Sequence, residues 1–141
     1  GLLMEWLDDA TLSPRLTTYG MMPKVVGEKP LGWIAARDVG AAAAFAALDP
    51  AAFIGRKIVL CSETATIQQA TALYKESEGR IPFSFPLPRF AFRAISGDAL
   101  IQWWEWLARQ APSDPQPLRQ MVKEPLSFRG YLRMRSRLSQ P

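Results

Sequence analysis

The segment Gly32-Trp33-Ile34-Ala35-Ala36-Arg37-Asp38-Val39-Gly40 runs straight into Ala41–Leu48 and stops at Asp49-Pro50. No other feature constrains the chain as much. A short apolar strand delivers the backbone, with no intervening loop, into the first turn of an alanine-rich helix. Asp38 falls where a carboxylate can accept the free N–H groups of that turn and face the positive end of the helix dipole, so it is expected to cap the helix.

What the chain lacks is equally restrictive. Histidine is absent and Cys61 is the single cysteine among 141 residues. A disulfide within the chain and a Cys/His zinc site are therefore excluded, as is serine or cysteine catalysis supported by histidine. No catalytic residue and no metal ligand set is assigned. Cys61 closes the apolar run Ile58-Val59-Leu60 and reads as a buried, structural thiol. With 48% hydrophobic and 21% charged residues, the composition is that of one folded domain. The longest apolar run, Val39–Leu48, is far too short to cross a bilayer, so no membrane association is expected. The N-terminus has no basic stretch leading into an apolar one, and this with the free thiol points to the cytoplasm. Gly1-Leu2-Leu3-Met4 is unlike a natural start and fits a processed product, a fragment or an expression remnant.

The net charge is +4, and the excess gathers in Arg129, Arg133, Arg135 and Arg137. Positions 129, 133 and 137 share one face of a helix. They read as a solvated basic stripe, with contact to nucleic acid or an anionic membrane as the lesser alternative.

Local signals supply an order of elements. Leu2–Leu7 suits helix or loop, Leu16–Met22 a strand ended by Pro23, and Lys24–Pro30 a connection. Leu31–Ala35 is a strand feeding the alanine-rich helix. Phe53-Ile54-Gly55 turns the chain into a second strand over Arg56–Ser62. Thr66 and Gln69 have capping-box spacing for a helix running to about Glu78, where Gly79 is a natural left-handed terminator. Ile81–Leu87, interrupted by prolines, suits an edge strand or extended segment. From Phe90 the pattern is helical with a break at Gly97-Asp98, then a proline-rich linker at 112–117 and a last helix over Phe128–Leu138. In that last helix Phe128, Tyr131, Leu132 and Leu138 form the apolar side. The fold class is α/β, or α+β as an isolated piece: short strands with packed helices and a helical tail.

Beyond these signals, Leu31–Leu87 resembles the second half of NmrA-like proteins, the atypical branch of the short-chain dehydrogenase/reductase superfamily. The residues that carry the resemblance are Trp33-Ile34-Ala35 with Arg37-Asp38-Val39-Gly40, then Gly55-Arg56-Lys57-Ile58-Val59-Leu60. The helix through Leu73 to Gly79 and the segment ending Pro86-Leu87-Pro88 follow in the family's order. Gly1–Leu7 resembles the tail of its Arg-Pro-Gly-Phe-x-Glu-Asn segment, with Leu3 for the aromatic residue and Trp6 for the amide. Pro125-Leu126-Ser127-Phe128-Arg129 resembles its closing helix.

The resemblance implies the C-terminal, substrate-side portion of a Rossmann-like fold over residues 1–111, followed by a linker at 112–117 and a basic helical segment at 118–141. It also implies an NAD(P) cofactor. The glycine-rich turn that would hold it has no counterpart here, so this chain alone is not expected to bind it. Tyr19 and Lys24 have the wrong spacing for the family's Tyr-x-x-x-Lys.

Met4 and Trp6 match a segment that lies near nicotinamide and substrate, and Met21, Met22, Trp103 and Trp104 offer further apolar surface. These six are the candidate substrate-binding residues, suited to a small hydrophobic or aromatic ligand such as a quinone. Glu5 reads as a structural or surface carboxylate, with catalytic acid as the lesser alternative. A half-Rossmann piece leaves strand edges and apolar faces uncovered, so a homodimer or a complex with the missing N-terminal half is expected. The function expected is thus a truncated or partner half of an NmrA-like reductase or redox sensor. A non-enzymatic interaction module is the alternative.

Overall fold

Strand β2 (Leu31–Ile34) organises the sheet, and all four of its residues are buried. In the computed structural model, which describes residues 2–7, 16–79, 81 and 87–138, β2 lies between β1 (Leu2–Leu3) and β3 (Glu63–Ala65). β1 runs parallel to it, with Leu2 opposite Trp33. β3 runs antiparallel, with Leu31 opposite Ala65 and Trp33 opposite Glu63. Glycine is required at position 32: a Cβ there would lie 2.6 Å from Ser113 Oγ and 3.0 Å from Cys61 Sγ.

Eight α-helices occur among the described residues: α1 (Met22–Val26), α2 (Ala36–Leu48), α3 (Pro50–Phe53), α4 (Ile67–Glu78), α5 (Arg89–Ser96), α6 (Asp98–Arg109), α7 (Gln116–Met121) and α8 (Phe128–Leu138). The fold class is mixed α/β, as expected. The chain forms two compact units, interleaved along the sequence. One comprises Gly1–Glu5, Leu31–Ala65 and Pro112–Pro141; the other comprises Trp6–Pro30 and Thr66–Ala111. Sheet pairing between residues 2–3, 31–34 and 63–65 gathers the first unit from distant segments. Residues 112–117, expected as a linker, and 118–141, expected as a basic helical segment, fall in the first unit.

The core of the first unit centres on Trp33, whose Nε1–H donates to Ala65 O at 3.0 Å. Its ring meets Phe128 edge-on at 5.5 Å. Ile34, Ala42 and Leu118 make a second cluster under α2 and α7, joined by Leu3, Leu60, Met121 and Val122. In the second unit α1 packs on α6 and α4. Phe92 stacks on Trp104 with a 9° angle between rings, and Tyr19 lies 6.0 Å from Tyr74.

Local chemistry at α4 follows the sequence closely. Thr66 Oγ1 accepts the Gln69 N–H, Gln69 Oε1 accepts the Thr66 N–H, and Gly79 ends the helix at φ 72°. Gly97, at φ 75°, separates α5 from α6.

Two expected strands are corrected. Leu16–Met21 is a π-helical stretch that continues into α1, with Pro23 in the first turn of that helix. Tyr19, Met22 and Val26 are all buried, a spacing that fits one helical face, and proline in a first helical turn sacrifices no intrahelical bond. Arg56–Ser62 forms no ladder before Glu63. The antiparallel register that sets Trp33 against Glu63 would place Cys61 opposite Ala35, where β2 has already ended and α2 is about to begin. Among the described residues, Ile58, Val59 and Leu60 therefore pair with no strand. The expectation over Ile81–Leu87 falls mostly on residues 82–86, outside the described residues, as does the Leu138 side chain.

Candidate functional site

The junction between β2 and α2 is the feature the sequence marks most strongly, and its carboxylates play different parts from those expected. Asp38 does not cap α2: the residue preceding the helix is Ala35, with no side-chain cap. The Asp38 side chain is instead fully buried. Its Oδ2 accepts the Leu126 N–H at 2.7 Å and the Ser62 hydroxyl at 3.3 Å. Its Oδ1 lies 3.4 Å from Arg37 Nε. A carboxylate in a first helical turn can turn outward to a distant donor as readily as back to its own helix, and here the distant donors take it.

The cap comes from Glu5, which the sequence placed near the site as a structural carboxylate. Its Oε1 accepts the Ala36 N–H at 3.0 Å, so it neutralises the positive end of α2. A third carboxylate, Glu63, accepts the Phe128 N–H through Oε2 at 2.7 Å. Ser127 Oγ accepts the Gly130 N–H at 3.1 Å, the pattern of an N-cap on α8. Asp38 and Glu63 thus fix the backbone at residues 126 and 128. Neither link has a local sequence signal, because the partners are 88 and 65 residues apart.

These contacts decide whether the residues present fit a dinucleotide. Its diphosphate needs unoccupied N–H groups at a helix start, reached by backbone without side chains in the way. At α2 the donor is held by Glu5, and Asp38 stands in the same turn. At α4 the cap is closed by Thr66 and Gln69. At both described helix starts that follow a strand a side chain already takes a free N–H, and at the first it is a carboxylate. The described residues do not fit the group.

Of the six candidate substrate-binding residues, Met4 belongs to the first unit and is fully buried. The other five lie in the second. Met21, Met22 and Trp104 are buried in its core. Trp6 and Trp103 are half-buried and meet edge to face at 5.2 Å. They are the pair among the six that presents aromatic surface. Trp106, on the same helix as Trp103, is more than half exposed.

Cys61 is buried, as the sequence indicated, and its thiol donates to Glu63 O at 3.2 Å. Burial pushes the thiol up from its ordinary range, which disfavours the thiolate a nucleophile would need. No cluster of metal-binding side chains occurs among the described residues, and no helix there is long and apolar enough to cross a membrane.

The basic stripe is on α8, where Arg129, Arg133 and Arg137 are exposed. Leu126, Gly130, Arg133, Met134 and Arg137 line a concavity of about 430 Å³. The spacing of the arginines was legible in the sequence; the hollow beside them was not.

No family model matches the chain, and no curated protein matches it by sequence. Among solved structures it is similar to a nucleoside-diphosphate-sugar epimerase from Staphylococcus aureus, with a TM-score of 0.64 at 14% identity. The match covers 93% of this chain and 49% of the epimerase, so the chain spans about half the length of that protein. At such identity the likeness is one of fold: the chain has an α/β architecture equivalent to half of a Rossmann-like epimerase.

Proposed function

We propose that this chain is the substrate-side half of an NmrA-like, NAD(P)-dependent reductase or redox sensor. It would supply a hydrophobic wall for a small aromatic ligand and leave the dinucleotide to other residues. The observation that carries this reading is the fold match to about half of a nucleotide-sugar epimerase. The side chains seated at the starts of α2 and α4 support it, since these are the described helix starts that follow a strand. Within this reading the edge-to-face pair of Trp6 and Trp103 forms the ligand wall. An aromatic ring laid on that pair gains both apolar burial and quadrupole complementarity. Met4, Met21, Met22 and Trp104 then act from behind, holding the packing that supports each unit. Titration calorimetry of the chain with NADPH is expected to give no saturable heat. Stoichiometric, micromolar binding would overturn the assignment of the cofactor to other residues.

A second reading, an interaction module without enzymatic activity, is favoured by α2 and its sequel. Of the thirteen residues of α2 only Asp38 and Ala42 are buried. Phe45 is 42% exposed, Leu48 86% and Ile54 80%. Exposed apolar residues gathered in this way mark a surface for another chain, either a second copy or the remaining half of the fold. Sedimentation velocity at micromolar concentration is expected to show a dimer or larger species. A monodisperse monomer would count against this module.

A further inference from the structure

We propose that the hollow beside α8 is a binding site for a small soluble phosphate ester carrying an apolar ring. This stands apart from the reading above and does not depend on it. The hollow is lined by two arginines, Arg133 and Arg137, together with the apolar side chains of Leu126 and Met134 and with Gly130. The two arginines are one helical turn apart, so their guanidinium groups can converge on a single anion. Neither has an ion-pair partner among the described residues, and none of the described residues lining the hollow is acidic. Two guanidinium forks match the several terminal oxygens of a phosphate monoester. The leucine and methionine offer the ring an apolar surface, and methionine adapts readily to irregular shapes.

The wall is held in place before any ligand arrives. The backbone of Leu126 is fixed by buried Asp38, and that of Phe128 by Glu63. Phe128 itself is fully buried against Trp33. Gly130 keeps the floor open: an added Cβ would stand 3.3 Å from Ser127 Oγ and 3.4 Å from Leu126 Cδ2.

Two other anionic surfaces fit less well. A helix that lies on a membrane needs its apolar side free to enter the lipid, whereas Phe128, Tyr131 and Leu132 are buried within the unit. A nucleic-acid duplex is met by an extended basic surface making many phosphate contacts, whereas this hollow concentrates two charges. The open hollow of about 430 Å³ has room for one phosphate and a ring laid beside it.

The test is ¹⁵N–¹H NMR of the whole chain titrated with phenyl phosphate at constant ionic strength, with inorganic phosphate and phosphatidic acid vesicles as separate arms. Phenyl phosphate is expected to shift the Gly130 amide and the Nε–H signals of Arg133 and Arg137 saturably. It should bind several-fold more tightly than inorganic phosphate. Arg133→Gln and Arg137→Gln should each weaken it about tenfold, and Gly130→Val should abolish the preference for the phenyl ester. Both arginines are exposed, so the fold should survive either substitution, and an otherwise unchanged spectrum shows that it does. Shifts spread over all arginines, or equal affinity in the glutamine variants, would overturn the site. So would vesicle binding without phenyl phosphate binding.

Discussion

Asp38→Ala is expected to destabilise the first unit by about 3 kcal/mol, because it strands a buried hydroxyl and a part-buried backbone N–H at about 1–3 kcal/mol each. The side chain is fully buried and accepts from the Leu126 N–H at 2.7 Å and the Ser62 hydroxyl at 3.3 Å. Arg37 adds little, since its guanidinium is 3.4 Å away on a side chain that is 55% exposed. Urea denaturation should show a lower midpoint at an unchanged slope, and the Leu126 amide should lose its protection from hydrogen exchange. Asp38→Asn keeps one acceptor oxygen for Leu126 and should cost about 1 kcal/mol. On the Asp38→Ala background Ser62→Ala should cost less than it does alone, because the hydroxyl has already lost its acceptor. If Asp38→Ala instead frays α2 and leaves Leu126 protected, the carboxylate is a helix cap after all.

That contrast marks how far the residues could be read in advance. Thr66, Gln69 and Gly79 act within one helix, and their spacing was sufficient to place both of its ends. β2, α2, the break at Gly97 and α8 were legible for the same reason: each is signalled by residues adjacent in the chain. Asp38 satisfied a local rule and obeyed a distant one, and nothing near it in sequence points to Leu126. Glu5 capping Ala36 and Glu63 holding Phe128 were hidden in the same way. Ile58-Val59-Leu60 carried the composition of a strand, but β2 is four residues long and its ladder with β3 reaches only to Glu63, so no described strand runs beside them. At Leu16–Met22, threonine and tyrosine favoured a strand, whereas the buried spacing of Tyr19, Met22 and Val26 is helical. Tertiary burial outweighed propensities worth only about 1 kcal/mol across the whole scale. The candidate site divides along the same line. The tryptophans and arginines could be picked out by type and spacing, while the edge-to-face meeting of Trp6 with Trp103 is a product of folding.

Trp33→Ala is expected to be the most damaging single substitution, at about 3–5 kcal/mol. Against a total stability of about 5–15 kcal/mol for a domain, that leaves a substantial unfolded population in dilute denaturant. Three losses coincide at this residue. Its ring, 1% exposed, leaves a cavity under the sheet. Its Nε1–H no longer answers Ala65 O. Its edge contact with Phe128, at 5.5 Å and 83°, disappears, and with it the inner support of α8. Trp33→Phe separates these effects: it keeps most of the apolar volume and strands only the Ala65 carbonyl, so it should cost about 1–2 kcal/mol. Because Phe128 anchors the helix that carries Arg133 and Arg137, Trp33→Ala should also speed amide exchange across residues 128–134 before the unit unfolds as a whole. Thermal or urea unfolding gives the energy, and exchange of the α8 amides gives the location. A cost below about 1 kcal/mol for the alanine variant, with α8 protection unchanged, would contradict a core built around this tryptophan. The same ring therefore sets both the stability of the sheet unit and the rigidity of the basic hollow.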